Sequence, residues 1–129
     1  MRARRTTLDP RAVGRAGRLL AAASLLMMPA LGAAQALTAD QIAEAIGDKT
    51  YQGSMTADAF AEYYAEDGTI RGDGYTGRWR AEDGSLCYRY GEAPENCWGV
   101  RIDGPAMTLL KDGRPDGSGM LIDGNPLDF

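Results

Sequence analysis

The sequence predicts a mainly β protein: a small antiparallel meander or partly closed β-barrel, with one short N-terminal helix and one disulfide. Asp-Gly pairs, which favour the two-residue turns of hairpins, recur from residue 67 to residue 124. Many of them are spaced near ten residues apart, as in an antiparallel meander. The runs between them are short, and several are rich in aromatic or β-branched residues, as strands tend to be. The length of 129 residues allows one domain.

Residues 1–36 are predicted to be an export signal rather than part of this fold. An arginine-rich stretch precedes an apolar run over residues 19–33, and Ala34 and Ala36 supply small residues before a cleavage site. This order is typical of a secretory signal peptide, and the apolar run is shorter than the ~20 residues needed to cross a bilayer. We expect cleavage between Ala36 and Leu37, by a Sec or twin-arginine route. The product would be periplasmic or secreted, with no transmembrane segment after cleavage.

The remaining chain is strongly acidic. Residues 37–129 hold 8 basic and 17 acidic side chains, a formal charge of −9, and the sequence has no histidine. Nucleic acid is therefore not an expected partner, because its binding is driven by Lys and Arg. The lack of histidine excludes Ser-His-Asp and Cys-His catalysis and His-based zinc sites. No cofactor, no catalytic residue and no metal site is predicted.

Residues 37–48 are predicted to form the N-terminal helix. Thr38 and Gln41 make a capping-box pattern, Ile42 and Ile46 share one face, and Gly47 ends the helix.

Residues 49–129 are predicted to form the antiparallel β domain. Its predicted strands are residues 51–55, 59–65, 69–71, 75–81, 85–90, 97–102, 107–111 and 120–122. We expect residues 113–119 and 123–129 to be loop and tail.

The two cysteines are predicted to form a disulfide. In an oxidising compartment, a pair of cysteines in a small domain is most simply bonded, and the short loop between Cys87 and Cys97 would contribute roughly 3 kcal/mol in the chain-entropy model. If these residues lie opposite each other on neighbouring strands, Arg89 faces Glu95.

The central hairpin can be placed in register from its turn. A two-residue turn at Asp83-Gly84 sets Trp79 opposite Tyr88 and Ala81 opposite Leu86. Since side chains alternate along a strand, this register agrees with the cysteine pairing and separates an apolar face from a basic one. The apolar face comprises Tyr75, Trp79, Ala81, Leu86, Tyr88, Trp98, Val100 and Ile102. We interpret it as core, and the alternative is a ligand cavity lined by its aromatic rings.

The opposite face carries half of the basic residues of the domain, which are Arg78, Arg80, Arg89 and Arg101. One interpretation is a solvated surface with weak ion pairs. The functional hypothesis is an anion-recognition face, because guanidinium groups bind carboxylate and phosphate in a bidentate manner. Its partner would be an envelope or secreted protein, or an anionic ligand.

One acidic stretch has partial calcium-loop spacing. Asp112, Asp116 and Asp123 occupy positions 1, 5 and 12 of an EF-hand-like loop, but Arg114 stands at position 3 and the bidentate Glu is missing. Weak calcium binding over residues 112–123 is left open.

The middle of the chain resembles a group of short secreted proteobacterial proteins classed as domains of unknown function. The resemblance covers about residues 60–100 and rests on a Tyr-Tyr-x-x-Asp-Gly-Thr string over residues 63–69, Gly77-x-Trp79, Leu86-Cys87 and Cys97-Trp98. It implies a disulfide-linked β domain and brings no activity. Gly77-Arg78-Trp79 is also distantly similar to the Gly-x-Trp of lipocalin-like barrels and small periplasmic protease inhibitors.

These features favour a non-enzymatic binding or interaction module, acting as an inhibitor of a secreted hydrolase or through an anion-binding face. A domain this acidic can be steered towards a cationic enzyme. The alternative is a small carboxylate-dependent envelope hydrolase, which would need two carboxylates about 5–10 Å apart in a cleft.

Overall fold

The computed structural model describes residues 35–129, so the predicted export signal lies outside the described residues except for Gln35 and Ala36. Over this range the chain forms helix α1 (Ala39–Ile46) and eight strands. The strands are β1 (Lys49–Met55), β2 (Asp58–Tyr64), β3 (Thr69–Gly72), β4 (Tyr75–Glu82), β5 (Ser85–Arg89), β6 (Asn96–Asp103), β7 (Ala106–Lys111) and β8 (Arg114–Asp123). None of the helical segments among residues 35–129 has the length and apolar character needed to span a bilayer.

The eight strands form a closed antiparallel barrel in which each strand pairs with its sequence neighbours and β8 returns to pair with β1. The predicted mainly β fold, with one short helix and one disulfide, is confirmed, and the barrel is closed. Closure pairs both edges of every strand, which protects them from pairing with other chains. Most of the Asp-Gly pairs lie in turns, although Asp116-Gly117 lies within β8. Gly84 at the β4–β5 turn has φ of 76°, a left-handed conformation that glycine adopts without strain.

The predicted register of the central strands is correct. Trp79 lies opposite Tyr88, and Cys87 lies opposite Cys97, to which it is disulfide-bonded. The register that places Arg89 opposite Glu95 holds along the β5–β6 ladder, but the ladder ends one pair earlier, at Tyr88 and Asn96. Arg89 and Glu95 line the same surface groove. The chain turns between these strands, and this turn leaves the Glu95 carboxylate free to bind another arginine.

Helix α1 covers one end of the barrel. Its capping box is present: the Thr38 hydroxyl accepts from the Gln41 amide at 3.2 Å, and the Thr38 amide donates to Gln41 Oε1 at 2.9 Å. Ile42 and Ile46 are fully buried in the barrel core. The amide of Ala39 donates to the carboxylate of Asp83 at 2.9 Å, which ties the helix to the β4–β5 turn. The β1–β2, β3–β4, β5–β6 and β7–β8 connections lie at the opposite end of the barrel.

The prediction of a loop over residues 113–119 is wrong from residue 114 onward, because β8, the strand that closes the barrel, begins at Arg114. Gly117 and Gly119, which look like loop residues in the sequence, are required by the close approach of β1. A Cβ atom at Gly119 would lie 2.5 Å from the carbonyl oxygen of Gln52 and 2.7 Å from the Cα atom of Gly53. The calcium loop considered for residues 112–123 does not form for the same reason: most of the segment is extended strand.

Candidate functional site

The open end of the barrel contains an aromatic cavity of about 590 Å³. Its wall is built from side chains of five strands, β1, β2, β4, β5 and β6, and of the turn that follows β5. The larger lining residues are Met55, Phe60, Glu62, Tyr75, Tyr88, Tyr90 and Trp98. Three of the rings, those of Tyr75, Tyr88 and Trp98, belong to the face that the sequence assigns to the core or to a ring-lined cavity. The structure places these three rings around a cavity, and it places Trp79, which does not line the cavity, in the core cluster together with Tyr88.

Glu62 is the charged residue of this cavity, and it is only 3% exposed. It lies on β2 between Phe60 and Tyr64, which are two residues away on either side. Because successive strand residues point to opposite faces, all three side chains point into the barrel. The alternation of inward and outward side chains along β2 thus places a carboxylate inside the barrel.

Three tyrosine hydroxyls converge on the Glu62 carboxylate. Tyr75 and Tyr90 donate to Oε1 at 2.8 and 2.7 Å, and Tyr64 donates to Oε2 at 3.3 Å. The hydroxyl oxygens of Tyr64 and Tyr88 lie 3.4 Å apart, which extends the polar cluster across to β5. Such bonds supply the hydrogen-bond partners that a buried carboxylate needs.

Burial is the main influence on the pKa of Glu62, and no cationic side chain among residues 35–129 pairs with it. Burial raises the pKa of Glu62 above its usual value, and the hydrogen bonds from Tyr90, Tyr75 and Tyr64 oppose this rise by stabilising the charged form. None of the ion pairs found within residues 35–129 includes Glu62. The pKa values of the Tyr75 and Tyr90 hydroxyls are raised well above their usual range by burial and by Glu62. Both hydroxyls therefore stay protonated and remain donors.

Tyr75 and Tyr90 connect the buried carboxylate to solvent. Their rings meet edge to face with centroids 6.0 Å apart, and they are 40% and 37% exposed. The sequence-based assignment of Tyr75 to the core is therefore wrong: its ring lies at the rim, because β4 begins at the open end of the barrel. A molecule entering the cavity meets these rings before it reaches Glu62.

Trp98 forms another part of the wall and is held by its own contacts. Its indole Nε1 donates to Asp116 Oδ2 at 2.9 Å, and its ring lies 5.6 Å from that of Tyr88. The ammonium group of Lys111 stands 5.2 Å from the Trp98 ring centroid. These contacts restrain the ring and favour a cavity wall that is formed before any ligand arrives.

The arginine face lies on the outer surface of the barrel, away from this cavity. Arg78 and Arg89 are directly opposite each other on β4 and β5, as the sequence predicts. Arg80 forms ion pairs with the carboxylates of Glu82 and Glu95, which balance its positive charge. The Arg80 guanidinium lowers the pKa of Glu95, mainly through their hydrogen bonds.

Arg101, the fourth residue of the predicted anion-binding set, lies on β6 opposite Thr108, whereas the groove beside Arg78, Arg80 and Arg89 is lined by β4, β5 and Glu95. The structure therefore brings three of the four arginines together. Anion recognition by this face stays a prediction.

The disulfide determines whether a cluster of one glutamate and two cysteines can bind a metal ion. Glu82, Cys87 and Cys97 bring possible ligand atoms within 4.8 Å of one another. Both sulfurs are used in the disulfide, so they offer no thiolate to a metal ion.

Sequence reasoning missed Glu62 as a site residue. Its signal is a charged residue at an inward position of a strand, within the pattern Phe60-x-Glu62-x-Tyr64.

The chain matches no protein-family model, and no curated protein or experimentally determined structure shows significant similarity to it.

Proposed function

We propose that this protein is a non-enzymatic binding module that takes one small, largely apolar molecule into the open end of its barrel. The observation that carries this proposal is the aromatic cavity of about 590 Å³ with a single buried carboxylate, Glu62, in its wall. Ligand sites in proteins are typically of this size, mostly apolar, with few polar groups that orient the ligand. Small eight-stranded barrels have room for one such molecule.

The carboxylate count favours binding over the alternative of a carboxylate-dependent hydrolase. Glycosidase-type chemistry uses two carboxyl groups on either side of the scissile bond. Among the described residues that line the cavity, Glu62 is the only acid. A lone carboxylate held by three hydroxyl donors is suited to orienting a ligand.

The test uses N-phenyl-1-naphthylamine, an uncharged aromatic probe whose fluorescence rises in apolar surroundings. We expect one equivalent to bind per protein. Met55→Trp, which fills the cavity, should weaken binding at least tenfold. Gln52→Trp places the same side chain on the exposed outer face of the same strand and should leave binding unchanged.

Circular dichroism would establish that both variants are folded. A wild-type protein that gives no fluorescence rise would contradict the proposal, even if Met55→Trp failed to fold. Equal binding by wild type and folded Met55→Trp would place the probe elsewhere on the molecule and contradict it equally.

We further propose that the module acts outside the cytoplasm, in the bacterial envelope or the medium. The arginine-rich and apolar segments of residues 1–36 and the Cys87–Cys97 pair support this location, since disulfides persist in oxidising compartments. The mass of the exported protein should equal that of residues 37–129 less two hydrogens. Retention of residues 1–36, or two free thiols in the exported product, would contradict this part of the proposal.

A further inference from the structure

The cavity holds a buried carboxylate that has no cationic side chain beside it in the part of the chain that the structure describes. Charged side chains that are almost fully buried are normally paired with an opposite charge. Glu62 is 3% exposed. Apart from burial itself, the groups that shift its pKa are the hydroxyls of Tyr64, Tyr75 and Tyr90. None of these groups carries a positive charge. Within residues 35–129, the charge of ionised Glu62 is thus not balanced by a neighbouring positive charge.

The carboxylate also has hydrogen-bonding capacity left. A carboxylate offers about four lone-pair positions, and the three tyrosines use two positions on Oε1 and one on Oε2. Glu62 lines the cavity, so a donor or a positive group inside the cavity can reach it. The tyrosine hydroxyls meanwhile fix the carboxylate in place, which reduces the ordering that a ligand would have to impose.

The aromatic rings around Glu62 add to the same preference. The faces of aromatic rings carry partial negative charge and attract cations, and cages of such rings are the common device for binding ammonium groups. Tyr75 and Tyr90 stand at the entrance and Tyr88 and Trp98 line the wall. Among the described residues, the cavity lining includes no lysine or arginine.

The charge of the whole domain acts in the same direction. Residues 37–129 carry a formal charge of −9, which attracts cations to the surface and repels anions. The three clustered arginines lie outside the barrel, in a groove lined by other residues than those of the cavity. Lys111 approaches the Trp98 ring without being among the lining residues.

We propose that the ligand of this cavity is an organic cation, with an ammonium or methylated ammonium group beside Glu62 and the rings of Tyr75 and Tyr90, and an apolar body against Phe60 and Trp98. This inference rests on the proposed function and specifies the chemistry of its ligand. It excludes organic anions, which the carboxylate and the rings would repel.

The affinity of the cavity for a cation should depend on pH through the ionisation of Glu62. The titratable groups that face Glu62 are Tyr51, Tyr64, Tyr75, Tyr88 and Tyr90. The pKa of each of these tyrosines is raised, so they stay neutral between pH 4 and 9 and Glu62 is the member of the cluster that titrates. A cation favours ionised Glu62, so its affinity should rise with pH through the pKa of Glu62 and then level off. An uncharged ligand gains nothing from that ionisation.

The experiment compares three ligands of nearly the same size by displacement of N-phenyl-1-naphthylamine: phenyltrimethylammonium, its uncharged isostere tert-butylbenzene, and benzenesulfonate. At pH 8 we expect the cation to bind at least tenfold tighter than tert-butylbenzene, and benzenesulfonate not to compete. The ratio of the two dissociation constants should shrink towards pH 4. Glu62→Gln should abolish the preference for the cation, whereas Glu66→Gln, which removes the same charge from an exposed turn position, should keep it.

Failure of this inference is distinguishable from failure of the proposed function. If the naphthylamine probe binds but tert-butylbenzene competes as well as the cation at every pH, the cavity is a ligand site and the cation assignment is overturned. Competition by benzenesulfonate would overturn it as well. If wild-type protein does not bind the probe, the proposed function fails and the inference falls with it. The wild-type pH series decides the question even if Glu62→Gln does not fold.

Discussion

Replacing Trp79 with alanine is expected to lower the free energy of unfolding by about 3–5 kcal/mol, the usual cost of truncating a large buried aromatic residue. The Trp79 ring is 8% exposed and packs edge to face against Tyr64, with centroids 6.3 Å apart. Its indole Nε1 donates to the carbonyl of Ala65 at 2.9 Å in a buried position. The truncation would remove the packing, leave a void and deprive this carbonyl of its donor.

Urea denaturation monitored by far-UV circular dichroism measures the effect. Arg80→Ala is the matched control, because Arg80 is the next residue of β4 and points outward into exposed ion pairs, whose contribution is typically below about 1 kcal/mol. Trp79→Phe should fall between the two, since it keeps a ring and loses the indole donor. A change within about half a kcal/mol for Trp79→Ala would place the ring at the surface and refute the assignment of the core.

Glu62→Gln is expected to change how stability depends on pH. In the unfolded chain Glu62 titrates near the ordinary value of about 4.3, whereas burial raises its pKa in the folded protein. Between these two pKa values the unfolded chain has released the proton that the folded protein still holds, so wild-type stability falls as the pH rises. The loss is complete above the folded pKa and amounts to about 1.4 kcal/mol for each unit by which folding raises it.

Glutamine at residue 62 cannot titrate, and its amide oxygen can still accept from Tyr75 and Tyr90. The stability of Glu62→Gln minus that of wild type should therefore increase from pH 4 towards neutral pH and then level off. Chemical denaturation at a series of pH values measures this difference. Glu66→Gln serves as the control for the loss of one negative charge, and it should show no such increase. A difference that stays constant or decreases with pH would mean that folding does not raise the pKa of Glu62.

The central strands could be predicted from the sequence because two independent local constraints agree there. The Asp83-Gly84 turn fixes one hairpin and the cysteine pair fixes the next, and both put Trp79 and Tyr88 on the inner face. Turn chemistry and side-chain alternation act over a few residues, so the sequence displays them directly.

Strand β8 could not be predicted in the same way, since its conformation depends on a distant partner. Gly117, Gly119 and Pro115 are typical of loops when read locally. They lie in a strand because β8 pairs with β7 and β1: Pro115 lies opposite Leu110 of β7, and Gly119 lies opposite Gly53 of β1. At Gly117 and Gly119 the backbone of β1 comes too close for a side chain. That contact joins the first and last strands of the barrel, which are far apart in the sequence, so the local pattern does not show it.

The site escaped prediction because its members come from separate strands. Glu62 is one of 17 acidic side chains in residues 37–129, and its hydroxyl donors Tyr75 and Tyr90 lie 13 and 28 positions further along the chain. The pairing of β2 to β5 into one curved wall brings these three together. The sequence did identify the rings of Tyr75, Tyr88 and Trp98 as candidates for a cavity wall, which is where they lie.

The most direct test of the account is a carbon-detected NMR titration of the Glu62 side-chain carboxyl in the oxidised protein, free and saturated with phenyltrimethylammonium. The account predicts a pKa above that of an ordinary glutamate in the free protein, and a lower pKa when the cation occupies the cavity. A free-protein pKa at or below the ordinary value, unchanged by the cation, would show that Glu62 is neither desolvated nor in contact with the ligand. That result would contradict the assignment of this cavity as a cation site.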